Sequence, residues 1–124
     1  MAHEQQWGSI SGVAGEDLSA KQYYACKMNS SGAAVLAGAG ESATFGICLG
    51  APQSGEVSSF GMLGVFPAKL GGEVVAGAVL TPNASGALVT ATADDAVIGV
   101  AREAGVSGNI INILMIPQLE TNSE

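Results

Sequence analysis

The side chains able to do chemistry in this sequence are few and poorly placed for it. Cys26 and Cys48 are the only cysteines and His3 is the only histidine. A nucleophilic thiol needs a base close by, and the one imidazole lies in an N-terminal stretch far from both cysteines in sequence. Each cysteine sits inside an apolar run, YYACKM and FGICLG, where a free thiol behaves as a small hydrophobe. The sequence carries no secretory signal, which favours reduced thiols, and it leaves a Cys26–Cys48 disulfide open as the alternative. One histidine and two distant cysteines do not make a metal-ligand spacing. Asp94 and Asp95 are adjacent, so in a strand their carboxylates would point to opposite faces; with Glu16-Asp17 they read as solvated turns. No G-x-S-x-G elbow and no P-loop occurs. No catalytic, cofactor-binding or metal-binding residue is assigned, and the chain is expected not to be an enzyme.

The composition narrows the partners. The chain has 124 residues, of which 48% are hydrophobic and 12% charged, with 18 glycines and a formal net charge of −7 from 11 acidic and 4 basic residues. That apolar share is too high for a disordered chain, and the charged share is about half the usual. Lys21, Lys27, Lys69 and Arg102 are scattered, so neither nucleic acid nor an anionic membrane surface is an expected partner. No apolar run is long enough to span a bilayer as a helix.

The elements that would position these residues are announced by a repeat. NSSGA at 29–33 returns as NASGA at 83–87. Ser31, Gly32, Ala33 and Val35 then fall on Ser85, Gly86, Ala87 and Val89. Further on, SATFGICLGAPQSGEV (42–57) resembles DAVIGVAREAGVSGNI (95–110), with Gly46 on Gly99 and Gly55 on Gly108. One residue is lost between the two blocks. Such self-similarity predicts one supersecondary unit used twice, over roughly 21–66 and 74–116.

In each copy a strand-like run leads to an N-x-S-G turn, a short strand, a second turn, an apolar strand, a Gly-bearing loop and a last strand. Asn hydrogen-bonds locally in tight turns and Gly accepts positive φ. With no secretion signal, both N-x-S tripeptides are turns rather than glycosylation sites. No stretch of a dozen residues shows a 3.6-residue period free of Gly. The prediction is an all-β fold, a compact barrel or sandwich of about eight short strands in two duplicated halves, spanning 17–116 as a single domain. Residues 1–16 carry no strong strand pattern and read as an extended N-terminal arm that the core does not need. PQLETNSE at 117–124 reads as a C-terminal tail.

The last strand, IINILMI (110–116), is apolar on both alternating faces. Ile110, Asn112, Leu114 and Ile116 form one; Ile111, Ile113 and Met115 form the other. A strand of this kind needs two coverings, the domain core and something else. Low charge also fits a surface partly covered by partners. GGEVVAGAVL (71–80) has the glycine spacing of lipoyl and biotinyl carrier hairpins, but no lysine follows Lys69 to carry the group.

The succession LSAKQYYACKMNSSGAAVLAGAGESATFGICLGAPQSGEV, followed by GGEVVAGAVLTPNASGALVTATADDAVIGVAREAGVSGNIINILM, resembles the decoration or cement proteins of tailed-phage heads, over about residues 17–116. The resemblance implies a β-rich virion protein that is assembled in the host cytoplasm and binds the capsid exterior. It further implies a homotrimer, with the major capsid protein as partner and no cofactor. On that expectation Trp7 and Ile10 in the arm, and Ile111, Ile113 and Met115 in the last strand, are the candidate capsid or subunit contacts. A small carrier or ligand-binding β-module, or a tail or fibre component, is the alternative.

Overall fold

In the computed structural model, residues 8–116 are described. They hold ten strands: β1 (Ser9–Val13), β2 (Ala25–Met28), β3 (Ala34–Leu36), β4 (Gly46–Cys48), β5 (Val57–Gly61), β6 (Gly64–Lys69), β7 (Val79–Pro82), β8 (Leu88–Thr90), β9 (Gly99–Ala101) and β10 (Ile110–Met115). The first five form one sheet in the order β1-β5-β4-β2-β3, and the second five form another in the order β6-β10-β9-β7-β8. All the strand pairings in both sheets are antiparallel. The architecture is sandwich-like, two open sheets rather than a closed barrel, and the all-β expectation holds with ten strands instead of about eight.

The two orders are the same order, and the registers match pair by pair. Ile10 faces Phe60 as Phe66 faces Ile113, Gly61 faces Ile47 as Leu114 faces Val100, and Ala25 faces Ile47 as Val79 faces Val100. The N-x-S-G turns are alike to the atom. Asn29 Oδ1 accepts the N–H groups of Ser31 and Ala33, both at 2.9 Å, and Asn83 Oδ1 accepts those of Ser85 and Ala87 at 2.8 and 3.1 Å. Gly32 and Gly86 both take φ of 84°, a conformation that a side chain makes costly. Asp95 Oδ2 accepts Thr92 N–H at 2.9 Å just as Glu41 Oε1 accepts Gly38 N–H at 2.6 Å, so Asp95 is a turn residue, as its sequence setting predicts.

The match also redraws the repeat. The sequence pattern leaves 1–16 outside it, yet Ser9–Val13 is the counterpart of β6 and pairs with β5 over five residues. Gly8 C=O accepts the N–H groups of Met62 and Leu63 at 2.6 and 3.0 Å, and Ala14 is buried. Residues 9–16 are therefore part of the first unit, not an arm. SISGV escapes notice because Ile10 and Val13 are exposed and Gly12 has no side chain to show a face. The units run 9–61 and 64–115. Trp7 and the 117–124 tail lie outside the described residues.

Each unit closes on its own apolar cluster. In the first, Ala14, Leu18, Cys26, Ala34, Phe45, Cys48 and Phe60 pack together, with the Phe45 and Phe60 rings 4.8 Å apart between centroids at 52°. Burying a side chain of Phe60's size contributes about 1.5–3 kcal/mol. The alternation of β2 and β4 sends Ala25 and Ile47 to the opposite face, where they join the cluster of the second unit with Leu80, Ile98, Ile113 and Met115. The middle of the first sheet is thus buried on both faces.

Candidate assembly surface

Cys26 and Cys48 are free thiols, both buried in the first unit's cluster. The Cys48 thiol donates to Gly50 C=O at 3.3 Å. A hydrogen bond from the Cys26 thiol holds the Cys48 thiol below the ordinary thiol range, and the same bond, with burial, pushes Cys26 above it. Their register counterparts in the second unit are Leu80 and Ala101, both core residues, so the two thiols occupy packing positions. Among the described residues no group of three or more His, Cys, Asp or Glu could hold a metal ion. Glu16 accepts Leu36 N–H at 2.7 Å and Asp17 accepts Ser19 N–H at 3.0 Å, which places both carboxylates in local turn and edge bonds. The Asn83–Ala87 turn, the counterpart of a carrier hairpin's tip, is packed against the first unit: Gly86 C=O accepts Ala25 N–H at 2.8 Å.

The last strand carries the surface, on the face opposite to the one expected. Ile111, Ile113 and Met115, candidate contacts by sequence, are 5%, 0% and 1% exposed and belong to the core. The two apolar faces of β10 look alike in sequence, and only the side on which Leu80 and Ile98 lie decides which is inward. The outward face is the one with Ile110, Asn112 and Leu114, all exposed.

Across the second sheet this face is continuous. Val65 is paired with Leu114, Leu114 with Val100, and Val100 with Val79, so four apolar side chains stand in one row over β6, β10, β9 and β7. Leu114 is 40% and Val79 42% exposed. No charged residue interrupts the row. The counterpart row of the first sheet is Ser9–Gly61–Ile47–Ala25, of which Gly61, Ile47 and Ala25 are buried beneath the second unit and Ser9 at the edge is exposed.

Ile10, also a candidate by sequence, is 42% exposed on β1. Its counterpart Phe66 is half-buried, and a Cβ on Gly61 would stand 2.6 Å from Phe66 Cγ. Ile10 is thus an edge residue in a place where the other unit has a buried contact. The fold brings Ile10 to one end of the molecule and the Val79–Leu114 row to the other unit's outer face. Leu114, Val100 and Val79 were missed. Their signal lay in the repeat itself, where large apolar residues stand opposite the small Ala25 and Gly61 of the covered row.

Two matched units in five-stranded antiparallel sheets define an all-β duplicated sandwich with an apolar sheet face that is exposed among the described residues. Among solved structures the chain is similar to the N base of head fibre gp8.5 of bacteriophage phi29, with a TM-score of 0.68, 18% identity, and coverage of 91% of this chain and 98% of that chain. At that identity the likeness is one of fold. No protein-family model and no curated protein matches the sequence.

Proposed function

We propose that this chain is a structural component of a phage virion that binds the outside of the capsid, as a homotrimer, and stabilises the shell as a cement protein. The observation that carries this reading is the uncharged apolar row Val65–Leu114–Val100–Val79, left uncovered on a fold shared with a phage head-fibre base. Apolar faces of this kind mark interaction surfaces. A trimer touching several shell subunits turns weak single contacts into tight attachment. The major capsid protein is the proposed partner.

The experiment is co-sedimentation of the purified protein with shells assembled from the major capsid protein of the same genome. Binding that saturates at a fixed ratio, together with higher resistance of the shell to heat, is the expected result. No binding at micromolar concentrations would sink the proposal. The head-fibre likeness favours a second reading, the base on which a fibre stands. In that case the protein binds shells yet leaves their thermal resistance unchanged.

A further inference from the structure

The contact between the two units is built from surfaces that each unit also possesses in an unused copy. On the first unit's side it consists of the outer row with Gly61, Ile47 and Ala25. On the second unit's side it consists of Phe66 on β6, Pro82 at the end of β7, and Gly86 in the turn that follows. Phe66 lies against Gly61, and Gly86 would place a Cβ 3.1 Å from Leu36 Cδ2 and 3.2 Å from the Ala25 carbonyl oxygen. Backbone bonds join the same elements: Ala25 N–H to Gly86 C=O at 2.8 Å, Lys69 N–H to Tyr23 C=O at 2.9 Å and Gly40 N–H to Pro82 C=O at 2.9 Å.

Transferred through the matched registers, each half of that contact has a free counterpart. Gly61, Ile47 and Ala25 correspond to Leu114, Val100 and Val79, the uncovered row of the second sheet. Phe66, Pro82 and Gly86 correspond to Ile10, Met28 and Gly32, all exposed, with nothing within 4 Å of a Cβ on Gly32. Pro82 and Gly86, by contrast, are buried. The molecule therefore ends in two different surfaces, both apolar and without charge at these six positions, related to each other as the two sides of an interface it already makes.

We propose that copies of this chain associate head to tail. The Val79, Val100 and Leu114 face of one copy receives the Ile10, Met28 and Gly32 side of the next. The contact continues the one inside the chain, with large residues moved from one side to the other: Phe66 on Gly61 within the chain becomes Ile10 on Leu114 between chains. A contact of this kind is heterologous, so a given residue meets a different residue of its neighbour and not itself. The inference deepens the proposed self-association, and its test uses no shell, so its failure is distinct from failure of shell binding.

The test is sedimentation velocity on the purified full chain at increasing concentration, with Leu114→Asp and Ile10→Asp as single variants. Both side chains are exposed, so circular dichroism should be unchanged. The wild type is expected to exceed the 12.3 kDa monomer, and each variant to associate at least about tenfold more weakly. An equimolar mixture of the two variants should form a dimer and stop there, because it retains one good contact. A wild type that stays monomeric overturns the proposal. A variant that associates like the wild type overturns it too, and so does a mixture that stays monomeric, which would mark a two-fold contact. Should an aspartate variant lose cooperative unfolding, Ile10→Cys with Leu114→Cys decides. Mild oxidation should link chains only when both cysteines are present, and no cross-linked species would overturn the proposal.

Discussion

The Phe66 ring lies on Gly61, one residue from each unit, with so little room that a Cβ on Gly61 would stand 2.6 to 2.8 Å from three ring carbons. The ring thus packs directly on the backbone of the other unit at the β5–β6 corner. This contact explains why the outer row of the first sheet carries a glycine where the second sheet carries Leu114.

Gly61→Val should therefore destabilise the fold by about 1–3 kcal/mol, the usual result of forcing extra atoms into a packed contact. Phe66→Ala should cost a similar amount by removing the ring. The two together should cost less than their sum, because the smaller residue at 66 makes room for the larger one at 61. Denaturant melts of the four proteins measure this, and strict additivity would show that the contact is not what limits residue 61.

Deleting residues 2–13 removes β1. Its five-residue ladder with β5 and the Gly8 contacts to Met62 and Leu63 go with it. At about 1 kcal/mol per net hydrogen bond, the loss should be at least about 3 kcal/mol. Thermal unfolding should shift down by well over a few degrees or lose its cooperativity. A melt like that of the intact chain would return this segment to the status of an arm.

Asn29→Ala and Asn83→Ala remove the same two acceptor bonds, yet they should not cost the same. The Asn29 turn faces solvent, whereas the Asn83 turn is held against β2 with Gly86 buried. Ser31 and Ser85 are exposed in both turns and their freed N–H groups find water, so the difference rests on the N–H of buried Ala87 against that of half-buried Ala33. The expected losses are about 0.5–1 kcal/mol at position 29 and about 1–3 kcal/mol at position 83. Chemical denaturation of the two variants side by side reads the difference, and equal losses would refute it.

Glu41 pairs with Lys27 Nζ at 2.9 Å and accepts Gly38 N–H, and these two partners, Lys27 first, hold its carboxyl below the usual value of 4.5. The sign follows from linkage. The folded state binds this proton less readily than the unfolded one, so the stabilisation is present above the ordinary carboxylate value and fades as pH falls through the lowered one. Both side chains are largely exposed, so the effect should be under about 1 kcal/mol. Glu41→Gln should lower the melting temperature at pH 7 and leave it nearly unchanged at pH 2. Equal shifts at both pH values would rule out the charge as the cause.

The class of fold and its duplication are legible in the amino-acid order. N-x-S-G turns are built from hydrogen bonds within five residues, as between Asn83 and Ala87, so their letters carry the geometry directly. The last strand was recognisable for the same reason, since alternation is a local property of the chain. Other features depend on contacts between residues far apart in the chain. SISGV becomes a strand because β5 pairs with it, although its own side chains are mostly exposed. Ile111, Ile113 and Met115 become core, and Leu114 surface, because the second unit's cluster lies on one side of β10 and no described residue covers Leu114 on the other. Two apolar faces in one strand are equivalent until a neighbour takes one of them. The first sheet's outer row is taken by the second unit, while the second sheet's is left open.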